Sequence, residues 1–260
     1  GKTFDIHCGG MDLIPTHHTN EIAQCVACNH VDPVKYWLHP NMLTVNGQKM
    51  SKSLGNSFLP AELFDGSHPL LDQGYSPMTV RFSMLQAHYR STLDFSNDAL
   101  KAAEKGYKRL MNAKSALDQI TISGTVNNEE EANVNKLLLA TYDAMNNDFN
   151  SAQAIAELNE AASLINTWNS LQNKKANIQE YTLLRLKTLL QHFLFDIFGL
   201  LEESENNNEK LNGVMELVID IRKDARGKKD FATSDKIRDA LQGVGIQLKD
   251  SKDGTSWQAE

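Results

Sequence analysis

The sequence is poor in cysteine, in long apolar runs and in positive charge. Only Cys8, Cys25 and Cys28 occur among 260 residues. An odd, small set clustered near one end is no disulfide framework, so a reducing, cytoplasmic setting is expected. No apolar run approaches the roughly 18 residues of a membrane span, so no membrane partner is expected. The formal net charge of −7 argues against indiscriminate nucleic-acid binding and leaves room for a local basic patch. No HxGH tetrapeptide and no internal repeat occur. The start, GKTFDIHCGG, shows no initiator Met and no signal-peptide pattern. It enters directly on an apolar, Gly-rich stretch and is expected to be cut from inside a longer protein.

What is present suits a soluble globular chain: 41% hydrophobic and 23% charged residues. The length allows two domains or one large one. Residues 1–58 alternate short apolar runs (FDIH, MDLIP, VKYWLH, MLTV) with turn residues and resemble the end of an α/β domain. Asn46-Gly47 after MLTV is a hairpin signal, because both residues tolerate positive φ. Residues 59–95 form a joining region that carries three of the six prolines. From Ser96, a capping residue, the pattern turns helical: Leu100, Ala103, Tyr107, Leu110, Leu117 and Ile120 recur at helical spacing. Further helices are expected at about 130–146, 151–171 and 176–201, the last apolar on most sides and central to a bundle. EESENNNEK has linker composition. A small unit over 209–260 closes the chain: a helix from about 209, another from Thr233, and a hairpin with Asp253-Gly254 in its turn.

Two stretches carry chemistry. In PTHHTNEIAQC, His17 and Glu21 are four apart, which puts them on one helical face. Imidazole nitrogen and carboxylate oxygen both suit zinc, which wants four ligands. Cys25 shares that face but lies roughly 12 Å from His17 along the axis, too far for one ion. Cys25-Val-Ala-Cys28 is a lone CxxC, and both thiols read as packing residues. Surface His and Glu on a helix are common, so spacing alone leaves a solvated pair as the plain alternative. The second stretch, KMSKSLGN at 49–56, follows the hairpin and ends in a Gly-Asn break. Read plainly it is a solvated basic loop. Read for chemistry it brings ammonium groups to a triphosphate and neutralises charge building on departing pyrophosphate. Ser51 and Ser53 can add hydrogen bonds, as can the amides of Leu54 to Asn56 if a helix starts there.

KMSKSLGN together with FDIHCGGMDLIPTHHTNEIAQ resembles the cysteinyl-tRNA synthetase family of class I aminoacyl-tRNA synthetases. YWLH at 36–39, TVRFSMLQAHYRSTLDFS at 79–96, MNNDFNSAQAI at 145–155, KKDFATSDKIRDAL and GIQLKDSKDGTSW agree with it, so the resemblance covers nearly the whole chain. It implies a mainly α chain: the tail of a Rossmann-type catalytic domain with its KMSKS loop, an antiparallel helical tRNA-binding bundle over 96–203, and a small α+β anticodon module over 209–260. It implies zinc on His17 and Glu21, selecting a cysteine thiolate over a hydroxyl. His7 and Asp12 would line the cysteine pocket, and His18 stays a packed or hydrogen-bonded histidine. Lys52 would contact ATP, bound with Mg2+, with Lys49 in support. Cys8, Thr16 and Thr19 depart from the family's Gly, Phe and Glu. The family's HIGH-type ATP motif and two further zinc cysteines are absent, so only half a zinc site is expected, with weak zinc binding and no cysteine activation by this chain alone.

Residues 222–252 hold nine Lys/Arg against five Asp. On charge alone this is a solvated helix pair. The resemblance implies that Arg226, Phe231, Asp235, Arg238 and Asp250 read the anticodon of tRNA(Cys), residue types suited to single-stranded bases. The expectation is therefore a monomeric piece of a cysteine-activating, tRNA-charging ligase that itself mainly binds tRNA. A cysteine:amino-sugar ligase and a non-catalytic RNA-binding module are the alternatives. Residues 1–58 are expected to be partly disordered or repacked.

Overall fold

Strand β1 (Phe4–Cys8) and strand β2 (Val34–Leu38) pair in parallel, with His7 opposite Trp37 and Cys8 opposite Leu38. A parallel pair needs a crossover connection, and helix α1 (Thr19–Asn29) supplies it. The helix stops at His30, whose left-handed backbone (φ 59°) lets its N–H reach the Val26 carbonyl. Phe4, Ile6 and Tyr36 remain exposed on this pair. The computed structural model describes residues 2–171, 173–203, 207–228, 230–244, 246–251 and 254–259. Regular elements run through residues 2–58.

The Asn46-Gly47 turn forms as the sequence predicts. Both residues have positive φ, 50° and 75°, which matches the strand twist across a two-residue loop between β3 (Leu43–Val45) and β4 (Gln48–Lys49). Asp94 fixes the turn from outside: its Oδ1 accepts from the Thr44 hydroxyl and the Gly47 N–H, both at 2.7 Å. Asp94 lies on β5 (Leu93–Phe95), which pairs in parallel with β3. The Pro-rich joining region holds two short helices, α2 (Pro60–Asp65) and α3 (Pro77–Leu85). Each starts on a proline, whose missing N–H is no loss there. Val45, Leu63, Leu71, Tyr75, Val80, Phe95 and Leu100 close a small core around them.

Helix α4 (Asn97–Gln119) starts where Ser96 accepts the Ala99 N–H, and it buries the predicted stripe from Leu100 to Leu117. It shares a large core with α5 (Asn128–Asn146), α6 (Ser151–Ser170) and α7 (Glu180–Gln191). Asn127 and Asn150 cap α5 and α6 by accepting first-turn amides. The last of these helices begins later than predicted. Lys175–Ala176 (β7) pairs with Thr121–Ile122 (β6), a long-range contact that keeps these residues out of the helix. At its other end α7 widens into a π-helical stretch, His192–Ile197. It buries Leu183, Leu186, Leu189 and Leu190 in the bundle and leaves the apolar side chains of Tyr181 and Leu184 exposed.

The chain divides into two compact units, Gly1–Glu202 and Glu203–Glu260. The second holds α8 (Asn207–Gly227), α9 (Phe231–Gly243) and an antiparallel hairpin of β8 (Ile246–Ser251) and β9 (Gly254–Ala259). Helix α9 starts two residues before Thr233, because Asp230 caps it by accepting the Thr233 N–H at 3.1 Å. Gly254 is the first residue of β9, opposite Ser251, and Asp253 lies outside the described residues. The chain is mainly helical, as expected. Among the described residues, no helix is long and apolar enough to cross a membrane.

Candidate functional site

The parallel pair places His7 and Trp37 side by side, and their rings meet edge to face at 4.9 Å. The loop leaving β1 tightens into a π-helical turn, Ile14–His18, that leads into α1 and carries both predicted histidines. His18 points inward and is only 3% exposed. Its Nδ1 lies 2.9 Å from His39 Nε2, and its ring packs on Trp37 at 4.8 Å. Burial first, then the His39 and His7 imidazoles, hold the His18 pKa below the ordinary histidine value. Gly9 leaves the room for this ring: a Cβ there would sit 2.6 Å from His18 Cε1 and Nε2.

Glu21 is the centre of the cluster. Its Oε1 is 3.0 Å from His17 Nε2, the contact that the four-residue spacing predicts. Its Oε2 is 2.9 Å from His7 Nε2, a contact between helix and strand that spacing could not show. His7, His18 and Glu21 each offer one donor atom, and these atoms lie within 4.8 Å of one another. The donor types fit zinc, though three protein donors fall short of the four a closed site uses. His17 adds a fourth group that touches Glu21 but is largely exposed, at 61%. Cys25 is turned elsewhere: its thiol faces the Lys2 carbonyl at 3.6 Å and accepts from the Asn29 amide at 3.5 Å. All three cysteines are free thiols. Asp12 lies in a short 3-10 turn, Met11–Leu13, and is exposed.

Successive strand residues face opposite ways, so Cys8 and Leu38 turn away from the His7/Trp37 side. They line an apolar cleft of about 350 Å³ together with Tyr89, Met145, Phe149 and Phe198.

In KMSKSLGN, Lys49 ends β4 and Lys52 opens a 3-10 turn, Lys52–Leu54. Both are exposed. Ser51 caps the turn by accepting the Ser53 N–H, and Gly55 ends it with a left-handed backbone (φ 65°). The next helix begins only at Pro60. The amides of Leu54 to Asn56 therefore do not form a helix N-terminus, and the condition set for their help is not met. Asn56, which no spacing in the sequence singles out, holds this loop from within. It is 7% exposed, its Oδ1 accepts the Ser51 N–H at 2.8 Å, and its Nδ2 donates to the Lys49 carbonyl at 3.2 Å.

In the second unit, Arg226 sits in the last turn of α8 and Phe231 at the first position of α9, where it is 61% exposed. Asp235 and Arg238 are brought together on α9, with Oδ1 and Nη1 3.3 Å apart. Asp250 lies on β8 opposite Thr255, and its side chain is outside the described residues.

Residues 1–105 match the family described as tRNA synthetases class I (C) catalytic domain, and residues 140–202 match the DALR domain. A cysteine–tRNA ligase of Porphyromonas gingivalis is 48% identical over 260 residues, covering 99% of this chain and 52% of the relative. One from Bacteroides thetaiotaomicron is 49% identical with the same coverage. One from Thermococcus onnurineus is 36% identical over 99% of the chain and 53% of its own length. The chain spans about half the length of the curated relatives it matches. A LeuRS of Agrobacterium radiobacter K84, solved in a ternary complex with tRNA and LeuAMS, superposes with a TM-score of 0.50. It shares 19% identity and covers 75% of this chain and 27% of its own, a likeness of fold alone.

Proposed function

Because the chain belongs to the class I tRNA synthetases, among relatives named cysteine–tRNA ligase, we propose that it serves ATP-dependent activation of cysteine and transfer of cysteine to tRNA. The observation that carries this is Glu21 held between His7 and His17 beside Trp37. It gathers imidazole and carboxylate donors where a strand end meets a helix start. His17 and Glu21 would hold zinc, with His7 and Asp12 lining the pocket for the amino acid. When bound there, zinc supplies a soft Lewis acid that favours a thiolate over a neutral hydroxyl.

The lysines Lys49 and Lys52 supply positive charge for the phosphates of Mg2+-bound ATP. They act on charge that develops as pyrophosphate leaves, and no side chain serves as a covalent nucleophile. In this reading residues 1–58 are the tail of the catalytic domain and 59–95 the connection. Residues 96–203 form an antiparallel bundle that binds tRNA, and 209–260 form the anticodon module. Arg226, Phe231, Asp235, Arg238 and Asp250 carry the anticodon contacts, by stacking and by hydrogen bonds to base edges. The chain acts as a monomer in the cytoplasm. The relatives match over 99% of its length, which includes the last unit. That extent favours a tRNA ligase over a cysteine:amino-sugar ligase.

No HxGH motif occurs in these 260 residues. The chain alone is therefore proposed to bind tRNA without activating cysteine, and cysteine-dependent pyrophosphate exchange by the purified chain would overturn that. Binding to tRNA(Cys) and to an anticodon-substituted tRNA tests the rest. Arg226→Ala or Asp235→Ala should narrow the difference between the two tRNAs by about 1–3 kcal/mol. Equal affinity of the unsubstituted chain for both tRNAs would reduce the protein to a non-specific RNA-binding module.

A further inference from the structure

We propose that Asn56 is the positioning residue of the lysine loop, its one side-chain amide fixing the backbone that presents Lys49 and Lys52 to a pyrophosphate group. The proposal rests on the reading of that loop as a phosphate-binding element. The two bonds of Asn56 bracket Met50: the amide oxygen takes the N–H of Ser51, and the amide nitrogen gives to the carbonyl of Lys49. Met50 in turn packs on the small core around Val45 and Phe95. A main-chain N–H can only donate and a main-chain carbonyl can only accept, so these two partners set the orientation of the amide.

This arrangement requires asparagine. The residue is 7% exposed, and a buried polar group without partners is costly. Aspartate keeps the size and the acceptor but loses the donor, and its charge would face the Lys49 carbonyl. Alanine leaves both backbone groups without these bonds. The chain reaches back to this position because Gly55 takes a left-handed backbone (φ 65°) and its N–H bonds the Lys52 carbonyl. A Cβ on Gly55 would meet nothing within 4 Å, so the glycine serves the backbone angle and not a close approach. Asn56 itself is buried, and among the described residues its side-chain bonds go to backbone groups and not to an ammonium group. It acts through the lysines, by removing in advance the disorder that binding would otherwise have to quench.

The test is a titration of the full 260-residue chain with magnesium pyrophosphate by calorimetry, run beside limited trypsin digestion. Asn56→Ala should weaken pyrophosphate binding about tenfold, the scale of one or two lost hydrogen bonds. In a chain carrying Lys52→Ala the same substitution should weaken it by less than about threefold, because residues that act as a unit are not additive. Trypsin should cut after Lys49 and Lys52 faster in Asn56→Ala, with the far-ultraviolet dichroism unchanged. Asn56→Asp should behave like alanine and give no rescue. Pyrophosphate affinity and cleavage rate both equal to those of the unsubstituted chain would overturn the proposal, as would effects of Asn56→Ala and Lys52→Ala that simply multiply. If the unsubstituted chain itself binds no pyrophosphate, the phosphate reading of the loop falls and the proposal falls with it.

Discussion

Tyr89 donates its phenolic hydroxyl to Asp148 Oδ1 at 2.7 Å, joining positions 59 residues apart. Arg90 forms an ion pair with the same carboxylate, and His88 Nε2 lies 3.7 Å from its other oxygen. Asp148 and Phe149 both have positive φ, 60° and 54°, in the turn between α5 and α6. Aspartate tolerates that region better than most residues, and phenylalanine does not. The segment 88–90 therefore holds a strained turn in place. The Tyr89 hydrogen bond, and after it the Arg90 charge, hold the Asp148 carboxyl below the usual carboxylate range.

A depressed folded pKa fixes the sign of a pH effect. The contribution of Asp148 is present above the unfolded carboxylate pKa of about 3.9 and is lost as pH falls through the lower folded value. Asp148→Asn keeps the shape and the tolerance for positive φ but removes the charge. Its thermal midpoint should lie below that of the unsubstituted chain at pH 7, and the gap should close on acidification below about pH 3.9. Midpoints measured across that range decide it; a gap of the same size at both ends would show that charge is not the cause.

A second junction depends on Glu131. It accepts from the Thr182 hydroxyl at 2.5 Å, the Gln179 N–H at 2.9 Å and the Asn135 amide at 3.0 Å, tying the start of α7 to α5. Desolvation alone would raise its pKa, but these donors, Thr182 first, outweigh it and leave the carboxyl lowered. Glu131→Ala should cost about 1–3 kcal/mol in urea unfolding. Hydrogen exchange should speed at the Gln179 amide before it does in the middle of α6. Uniform loss of protection across the bundle would point to global unfolding instead.

The bundle core gives a larger effect. Phe193 is fully buried in the π-helical stretch and meets Phe198 edge to face at 5.8 Å. Phe193→Ala removes a large ring from a close-packed site and should cost about 3–5 kcal/mol. Chemical denaturation measures this directly, and a loss below about 1 kcal/mol would mean that the core collapses around the gap.

Local patterns were legible in the sequence, and contacts between distant segments were not. The Ser96 cap, the α4 stripe and the Asn46-Gly47 turn depend on residues within one or two turns of each other. The His17–Glu21 contact is of the same kind, and the spacing announced it. His7 meets Glu21 only because a parallel crossover brings a strand beside a helix, and no periodicity records that. The start of α7 was misplaced for the same reason, since the pairing of 175–176 with 121–122 spans more than fifty residues. Asn56 escaped notice because a side chain bonding to backbone in an irregular loop leaves no repeating signal. His18 is buried, as a packed histidine should be, and one of its ring nitrogens also lies within 4.8 Å of donor atoms on His7 and Glu21, a grouping that its place in the sequence does not reveal.

Zinc binding tests which of these groups serve as ligands. Glu21 pairs with both His7 and His17 and also belongs to the set with His18, so any zinc held here should depend on it. Zinc affinity of the chain, measured by competition with a coloured chelator, should be modest for want of four strong ligands. Glu21→Ala should lower it by more than about tenfold. His17→Ala should lower it too if the exposed imidazole is a ligand, whereas His7→Ala should matter more if the strand histidine is the one used. Cys25→Ser should change nothing, because its thiol faces the Lys2 carbonyl and lies about two helical turns from His17. Loss of zinc in Cys25→Ser with retention in Glu21→Ala would move the site away from the Glu21 cluster.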